Sequence, residues 1–578
     1  MCTRMPLLLA QLILLLMSSI VMSRTVQSSS LQSSDLYRLR AVGEVKFSHD
    51  DKYIAYSVES NDRPGRPYSQ LWIMDVSTQK SIRLGGEKEV TSGAEWSPDG
   101  QWIAYHGGQD DQTGLMVAHA DGSAATLLVP VRSTNSPLPM TGKELAWSPD
   151  SKRIAFISAT PGPETEEANG DPMVITRYLY KPTDSEGLSH FNDNRRLHIF
   201  VADVRTKQVR QLTNGVFYEH SIDWSPNGEE LLFVSNRETN ADQFFNYDIF
   251  ALRIADNTIR RLTATENAEY RPKWSPDGKA IVYQATKRGL TDLETTMEDT
   301  HVWLMQADGS NRRELTPTID NRQGTPGWAP DGLGLGIYFT VQEHGNVRLY
   351  RLPISGGQPE MIVNERGAVG SWSVSRTGTV AYSFHTPRDL PQLYLKTKTA
   401  TARLTDLNAA VLGNKQIADV DGFTFISNDN KYEVEAFLTK PLEMTAGSRH
   451  PLIVNIHGGP HGQNGPAFSF KSQVYAARGW ATLMVNYRGS TGYGQAFSDA
   501  VFGDQNGNEA QDVLYGASAA LRRYLWLDRD RMGIEGVSYG GQLTDWIITQ
   551  TSQFKAAIPI AGISNLISYN YMTYYNQY

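Results

Sequence analysis

Thiols are all but missing from this chain of 578 residues: its single cysteine, Cys2, stands ahead of an apolar run at the N-terminus. The chain beyond that run is thiol-free, which excludes disulfides, cysteine nucleophiles and cysteine-based metal sites. Cys2 is also misplaced for a lipoprotein cleavage site. Blocks of one charge are missing as well. The 54 basic and 62 acidic residues, net −8, are interspersed, so no nucleic-acid-binding surface is suggested. No His/Asp/Glu cluster has convincing ligand spacing, and neither a metal nor an organic cofactor is expected. Histidine does not recur after His461.

What is present begins with MCTRMPLLLAQLILLLMSSIVMS, in which Arg4 precedes an apolar run ending near Val21 and small residues lie close to Ser23. This pattern predicts a signal peptide over residues 1–23, a secreted or periplasmic protein, and no stable membrane insertion after cleavage. The run is near the short limit for crossing a bilayer, so an uncleaved membrane anchor is the alternative. The chain is also too long for one ordinary core, and two or more domains are expected.

A repeat organises the first of them. FSHDDKYIAY starts at Phe47, WSPDGQWIAY at Trp96, WSPDSKRIAF at Trp147, WSPNGEELLF at Trp224 and WSPDGKAIVY at Trp274; weaker copies start at Trp328 and Trp372. Each reads as a strand ending in an aromatic, a Pro-Asp-Gly turn, and a strand with alternating apolar positions such as Ile103 and Tyr105. Second hairpins such as Leu71–Leu84 and Ile199–Leu212 complete four strands per repeat. Such a sheet cannot bury both faces alone, and radial packing solves that problem. Seven copies predict an all-β seven-bladed β-propeller of TolB-like or WD40-like repeats over residues 35–405. The long interval between Trp147 and Trp224 reads as an insertion inside one blade. The repeat Trp and Asp residues are assigned architecture and no chemistry.

After about Leu404 the grammar changes. Phe423–Pro441 alternates like a hairpin around Asn-Asp-Asn; PLIVNIHGGP (Pro451–Pro460) and WATLMVNYRGSTGYG (Trp480–Gly494) are buried strands running into loops; Glu509–Tyr524 has helical spacing. Strands alternating with helices indicate an α/β sheet. Next, a short strand ends at GVSYGG and a helical pattern opens at once, the context of a nucleophile elbow. Gly536 and Gly540 leave room for a tight turn that lifts the Ser538 hydroxyl above the sheet. A serine hydroxyl is a weak nucleophile and needs a base and oxyanion donors. The backbone N–H groups of Tyr539 and of Gly459, in HGGP, are the candidate donors.

GxSxG alone is a weak signal. HGGPHGQNG (His457–Gly465), NYRGSTGYG (Asn486–Gly494), GD (Gly503–Asp504), QDV (Gln511–Val513) and GVSYGG (Gly536–Gly541) together resemble the prolyl oligopeptidase family of serine peptidases in order and spacing, most of all its acylaminoacyl-peptidase branch. The resemblance implies an α/β-hydrolase domain over residues 418–578, Ser538 as nucleophile, and Tyr539 and Gly459 as oxyanion-hole donors. His457 and His461 lead into the oxyanion loop and are not read as proton shuttles. Arg488 is read as a buried ion-pair partner. Where relatives often read GWSYGGY, this chain has Val537 and Gln542. Paired glutamates bind the substrate amino group in the dipeptidyl-peptidase branch, but the surroundings of Glu166 and Glu167 do not match that motif, and a solvated acidic loop is expected.

In this fold the triad runs Ser, then Asp or Glu, then His. No histidine follows His461, and Asp545 is too close to Ser538 to serve as the acid. The triad Asp and His are therefore expected to be absent from the chain, the hydrolase domain incomplete at its C-terminus, and the protein a fragment or an inactive form. Three functions compete: a serine peptidase cleaving short peptides, with the propeller as a size filter; a non-catalytic propeller binding protein with a vestigial hydrolase domain; and, more weakly, a small-ester hydrolase.

Overall fold

A computed structural model describes residues 29–136, 138, 140–168, 172, 174–177, 192–242, 246–287, 298–329, 336–354 and 357–572. The expected signal peptide, most of the long insertion and the last residues of the aromatic tail lie outside the described residues.

The repeat owes its shape to its serine. At the first Ser-Pro-Asp-Gly turn, Ser97 Oγ donates to Asp99 (2.6 Å) and accepts the Trp102 N–H (2.9 Å), while Asp99 accepts the Gln101 N–H (3.0 Å). Gly100 takes the left-handed conformation the reversal requires, with φ of 70°. The same serine bonds recur at Ser148, Ser225 and Ser275. The strands on either side pair antiparallel, giving five separate four-stranded sheets with strands in sequence order from Arg40 to Glu314. An eight-stranded sheet follows, from Gly327 to Arg403. Its two halves meet through one parallel pair, Val347 and Ala368.

The core of this region lies between successive sheets. One apolar cluster joins Leu71 and Ile73 to Trp96 and Ile103, another Ile199 to Leu231 and Phe233, and another joins Val42, Val45 and Ile54 to Ala381 and Leu393 in the last sheet. Tryptophans stitch neighbours together: the indole N–H of Trp147 donates to Glu95 O (2.9 Å) and that of Trp328 to Lys273 O (3.1 Å). The first strand meets the last sheet, where Val45 N donates to Ser371 Oγ (2.9 Å) and Phe47 N to Ser373 Oγ (3.0 Å). The chain thus closes a β-propeller.

The second domain is one six-stranded sheet with helices. Its elements are β1 (Val420–Ile426), β2 (Glu433–Thr439), β3 (His450–Ile456), α1 (Phe470–Ala477), β4 (Ala481–Asn486), α2 (Gln495–Asp499), α3 (Asn508–Arg523), β5 (Leu527–Val537), α4 (Tyr539–Gln550), β6 (Ala556–Ile560) and α5 (Leu566–Met572). Strand order is β1-β2-β4-β3-β5-β6, with β1–β2 and β2–β4 antiparallel and the other pairs parallel. β4 is buried throughout, as its apolar run requires, β3 alternates buried and half-buried positions, and β5 is buried from Met532 to Gly536. β6 and β1 are the two edge strands among the described residues, and Ile558 and Ile560 on β6 are exposed.

Loops from this sheet bind the propeller. Gln463 takes the Gly345 N–H (3.1 Å) and donates to Asn346 O (2.9 Å); Thr491 donates to Gln342 (2.5 Å); Gly494 N donates to Asn321 Oδ1 (2.8 Å). HGGPHGQNG and NYRGSTGYG are therefore contact loops between the domains, alongside Phe468, whose N–H donates to Thr386 O (2.9 Å), and Val420, whose carbonyl accepts from Arg366 (2.7 Å).

Candidate active site

Ser538 stands at the junction of β5 and α4 with φ 58° and ψ −121°. A non-glycine residue is uncommon there and costs on the order of 1–3 kcal/mol, strain that clusters at functional sites. Glycines make the turn possible. A Cβ on Gly536 would stand 2.1 Å from Gly540 O; one on Gly540 would stand 2.3 Å from Ile456 O and 2.7 Å from His457 O; one on Gly541 would stand 2.7 Å from Ile560 O. All three close approaches are to backbone, which cannot yield as a side chain can. Ser538 N donates to Ile560 O (2.9 Å), so β6 anchors the elbow, and Gln542 N donates to Ser538 O (3.0 Å) as the helix starts. The Ser538 side chain is exposed, and its hydroxyl has no hydrogen-bond partner among the described residues.

The HGGP loop passes directly over this turn. A Cβ on Gly458 would lie 2.7 Å from Val537 O and 3.1 Å from Ser538 Cβ. Gly459, at φ 129°, follows. The loop is fixed by His457, which is half-buried with Nε2 against Ser490 Oγ (3.0 Å) and Nδ1 against Gly458 O (2.9 Å). Burial lowers its pKa to about 4, so the ring is neutral at pH 7. It stacks on Tyr487 with centroids 4.4 Å apart, and Tyr487 stacks in turn on Tyr539 at 6.4 Å. Tyr539 donates its hydroxyl to the buried Glu509 (2.9 Å), whose carboxylate also accepts the Gly507 N–H (3.0 Å); burial raises the pKa of Glu509. One stack of rings thereby ties the elbow to the HGGP loop. Sequence reading missed both this stack and Gly458, because the contacts join segments far apart in the chain with no periodic signal between them.

Arg488 is buried between two carboxylates, with Nε 2.8 Å from Asp512 and Nη1 2.9 Å from Asp429; its bonds hold the Asp429 carboxyl well below the usual range. Asp429 belongs to a turn with the same serine chemistry as the propeller turns, through Ser427. His461 is buried against Phe502. Asp545 is half-buried on α4. Val537 is exposed beside Ser538, whereas Gln542 is buried and reaches Asn506 (3.2 Å). Glu166 is exposed on a four-residue helix, Thr165–Ala168, and the side chain of Glu167 lies outside the described residues.

Residues 466–578 match the model of the prolyl oligopeptidase family, and residues 179–376 that of the TolB β-propeller domain. The uncharacterized peptidase YuxL of Bacillus subtilis is 30% identical over 562 residues, covering 93% of this chain and 82% of that protein. The chain belongs to the prolyl oligopeptidase family of serine peptidases. Dipeptidyl-peptidase 5 of Porphyromonas gingivalis is 24% identical over 566 residues, covering 91% of this chain and 78% of its own length. The acylaminoacyl peptidase of Pyrococcus horikoshii shares the fold, with a TM-score of 0.78 at 21% identity over 93% of this chain and 80% of that one. A member of this family is a serine hydrolase.

Proposed function

We propose that Ser538 is the nucleophile of an acyl-transfer site that hydrolyses peptide bonds, with the backbone N–H groups of Tyr539 and Gly459 receiving the oxyanion. The observation that carries this reading is the strained, exposed Ser538 at the β5–α4 turn with the HGGP loop packed against its Cβ. Attack of Oγ on a peptide carbonyl forms a tetrahedral oxyanion; collapse expels the amine and leaves a Ser538 ester, which water then cleaves. Both halves require a base. His457 is neutral with both ring nitrogens committed to the loop, and no histidine follows His461. The triad Asp and His are accordingly read as absent from these 578 residues, leaving the nucleophile and oxyanion half of the machinery.

Short peptides are the substrates this reading favours, since similar proteins are named dipeptidyl-peptidase and acylaminoacyl peptidase, with the propeller acting as a size filter. Counting the eight-stranded sheet as two blades gives seven blades within residues 35–405, followed by the hydrolase domain at 418–578. The N-terminal segment supports export to the periplasm or outside the cell.

A fluorophosphonate, with the labelled residue located by mass spectrometry, tests the reading. Slow labelling at Ser538 alone is expected, abolished by Ser538→Ala, with peptide hydrolysis only about 10³–10⁴-fold above water, the level left when a triad member is missing. Labelling at another residue overturns the assignment. A chain that takes no label but binds peptide supports the second reading, a propeller binding protein, which the committed state of His457 favours.

A further inference from the structure

The inner strands of the propeller enclose a cavity of about 960 Å³ that adjoins a second of about 610 Å³. The second is lined by inner-strand residues such as Glu44, Gly93 and Ile222 and by Thr141, Gly142 and Thr325 from segments leading into inner strands. Six charged side chains line both cavities and form the waist between them: Lys46, Glu95, Lys143, Asp223, Arg271 and Lys273. Four are cations and two are carboxylates.

The pairing is uneven. Glu95 takes both Lys46 and Lys143, the latter at 3.1 Å, and Lys143 is 4.0 Å from Asp223, whose other oxygen accepts the Trp274 N–H (2.9 Å). Among the described residues Arg271 donates only to neutral oxygens, Thr141 O (3.1 Å), Thr325 Oγ1 (2.8 Å) and Gln284 Oε1 (3.4 Å). Lys273 has no carboxylate within ion-pair distance among the described residues. The acids that line the second cavity alone are engaged elsewhere: Glu44 accepts the Gly93 N–H (3.0 Å), and Glu144 lies 3.6 Å from His106. Arg271 sits at the bulge of the strand Glu269–Trp274, with φ of 50°, and both it and Lys273 line the two cavities. The wall contributed by the eight-stranded sheet and the segment leading into it is neutral, with the hydroxyls of Thr325, Thr340, Ser371 and Ser373. Burial, with Lys143 and Arg271 close by, lowers the Lys273 pKa to about 8. Crowded cations facing a neutral, hydroxyl-bearing wall are the surroundings an anion needs.

We propose that the channel waist is a carboxylate-binding site, in which the Arg271 guanidinium and the Lys273 ammonium hold the carboxylate of a small acid or the C-terminal carboxylate of a short peptide. An Arg fork matches the two carboxylate oxygens, and its remaining donors keep it anchored on Thr141 and Thr325. The site itself does not depend on the Ser538 reading; assigning the carboxylate to a peptide does.

Six tryptophans, among them Trp274 and Trp328, line the larger cavity, so intrinsic fluorescence and calorimetry can follow binding of triglycine, triglycine amide and succinate to the full chain. Triglycine is expected to bind at least tenfold more tightly than its amide. Lys273→Met and Arg271→Met should each weaken it at least tenfold, Lys273→Arg should retain most of it, and Ser538→Ala should leave it unchanged. Binding of succinate but not triglycine supports the site and assigns it to free acids. Equal binding of triglycine and its amide together with no succinate binding, undiminished binding in Lys273→Met and Arg271→Met, or loss of binding in Ser538→Ala overturns it. Loss of Ser538 labelling with carboxylate binding intact would instead count against the peptidase reading alone.

Discussion

Ser97 and Ser538 both stand at sharp chain reversals beside glycines, yet their hydroxyls are used in opposite ways. Ser97 is buried, and its oxygen donates to Asp99 while accepting from Trp102 N, so the turn is built by the side chain. Ser538 is exposed, and its turn is built without its side chain, by three glycines pressed against backbone. A serine whose hydrogen-bonding capacity is saturated locally is architecture. One whose backbone is strained while its hydroxyl stays uncommitted is available for chemistry. The serine turn recurs through the propeller and also in the hydrolase domain, at Ser427, whereas the elbow depends on the absence of side chains.

The strongest way to break this contrast is Gly540→Ala. The added methyl meets Ile456 O and His457 O at distances no real Cβ occupies, so β3 and α4 must separate. A loss of about 3 kcal/mol or more is expected, the upper part of the range for overpacking, with loss of phosphonate labelling and a lowered Tm of the hydrolase domain.

A polar group in the propeller that is not saturated sharpens it. Glu269 is buried; one oxygen accepts the Thr265 hydroxyl (2.6 Å) and the other has no hydrogen-bond partner among the described residues. Burial, reinforced by Asp248, raises its pKa to about 8. A pKa raised in the folded state means the folded protein binds the proton more tightly, so the associated stability is present in full below the ordinary glutamate range and is lost as pH rises through about 8. Glu269→Gln should remove this slope. Chemical denaturation at pH 5 and pH 9 is expected to show the variant gaining on the wild type by on the order of 3 kcal/mol across that interval; parallel profiles would show that the carboxylate finds a partner.

The smallest effect is expected from Ser97→Ala, which removes one side-chain acceptor and one donor from a single turn, about 1 kcal/mol by the usual worth of such bonds. It should leave labelling at Ser538 untouched. If it altered labelling, the propeller turns would be coupled to the elbow and the contrast between the two serines would fail.

Much of this protein was legible in order along the chain. The WSPDG copies announced hairpins because Ser, Asp and Gly act within a few residues of one another, and the hairpin of β1 and β2, the strands β3 and β4, helix α3 and the GVSYGG turn fall where their local patterns place them. Arg488 reads as an ion-pair residue from its loop alone, but its partners Asp429 and Asp512 come from different elements. The joining of the last eight strands into one sheet through Val347 and Ala368 was not legible, since a single parallel pair leaves no mark on composition. Nor was the approach of Gly458 to Ser538, the His457–Tyr487–Tyr539 stack, or the uneven charge of the channel waist. By itself the sequence determined the local reversals, the strand and helix periods and the identity of the candidate nucleophile, all set by neighbours in the chain. Only the tertiary structure decided which glycine covers the serine, which histidine is locked and neutral, and which cations lack a counter-ion, because desolvation and pairing depend on groups brought together from distant segments.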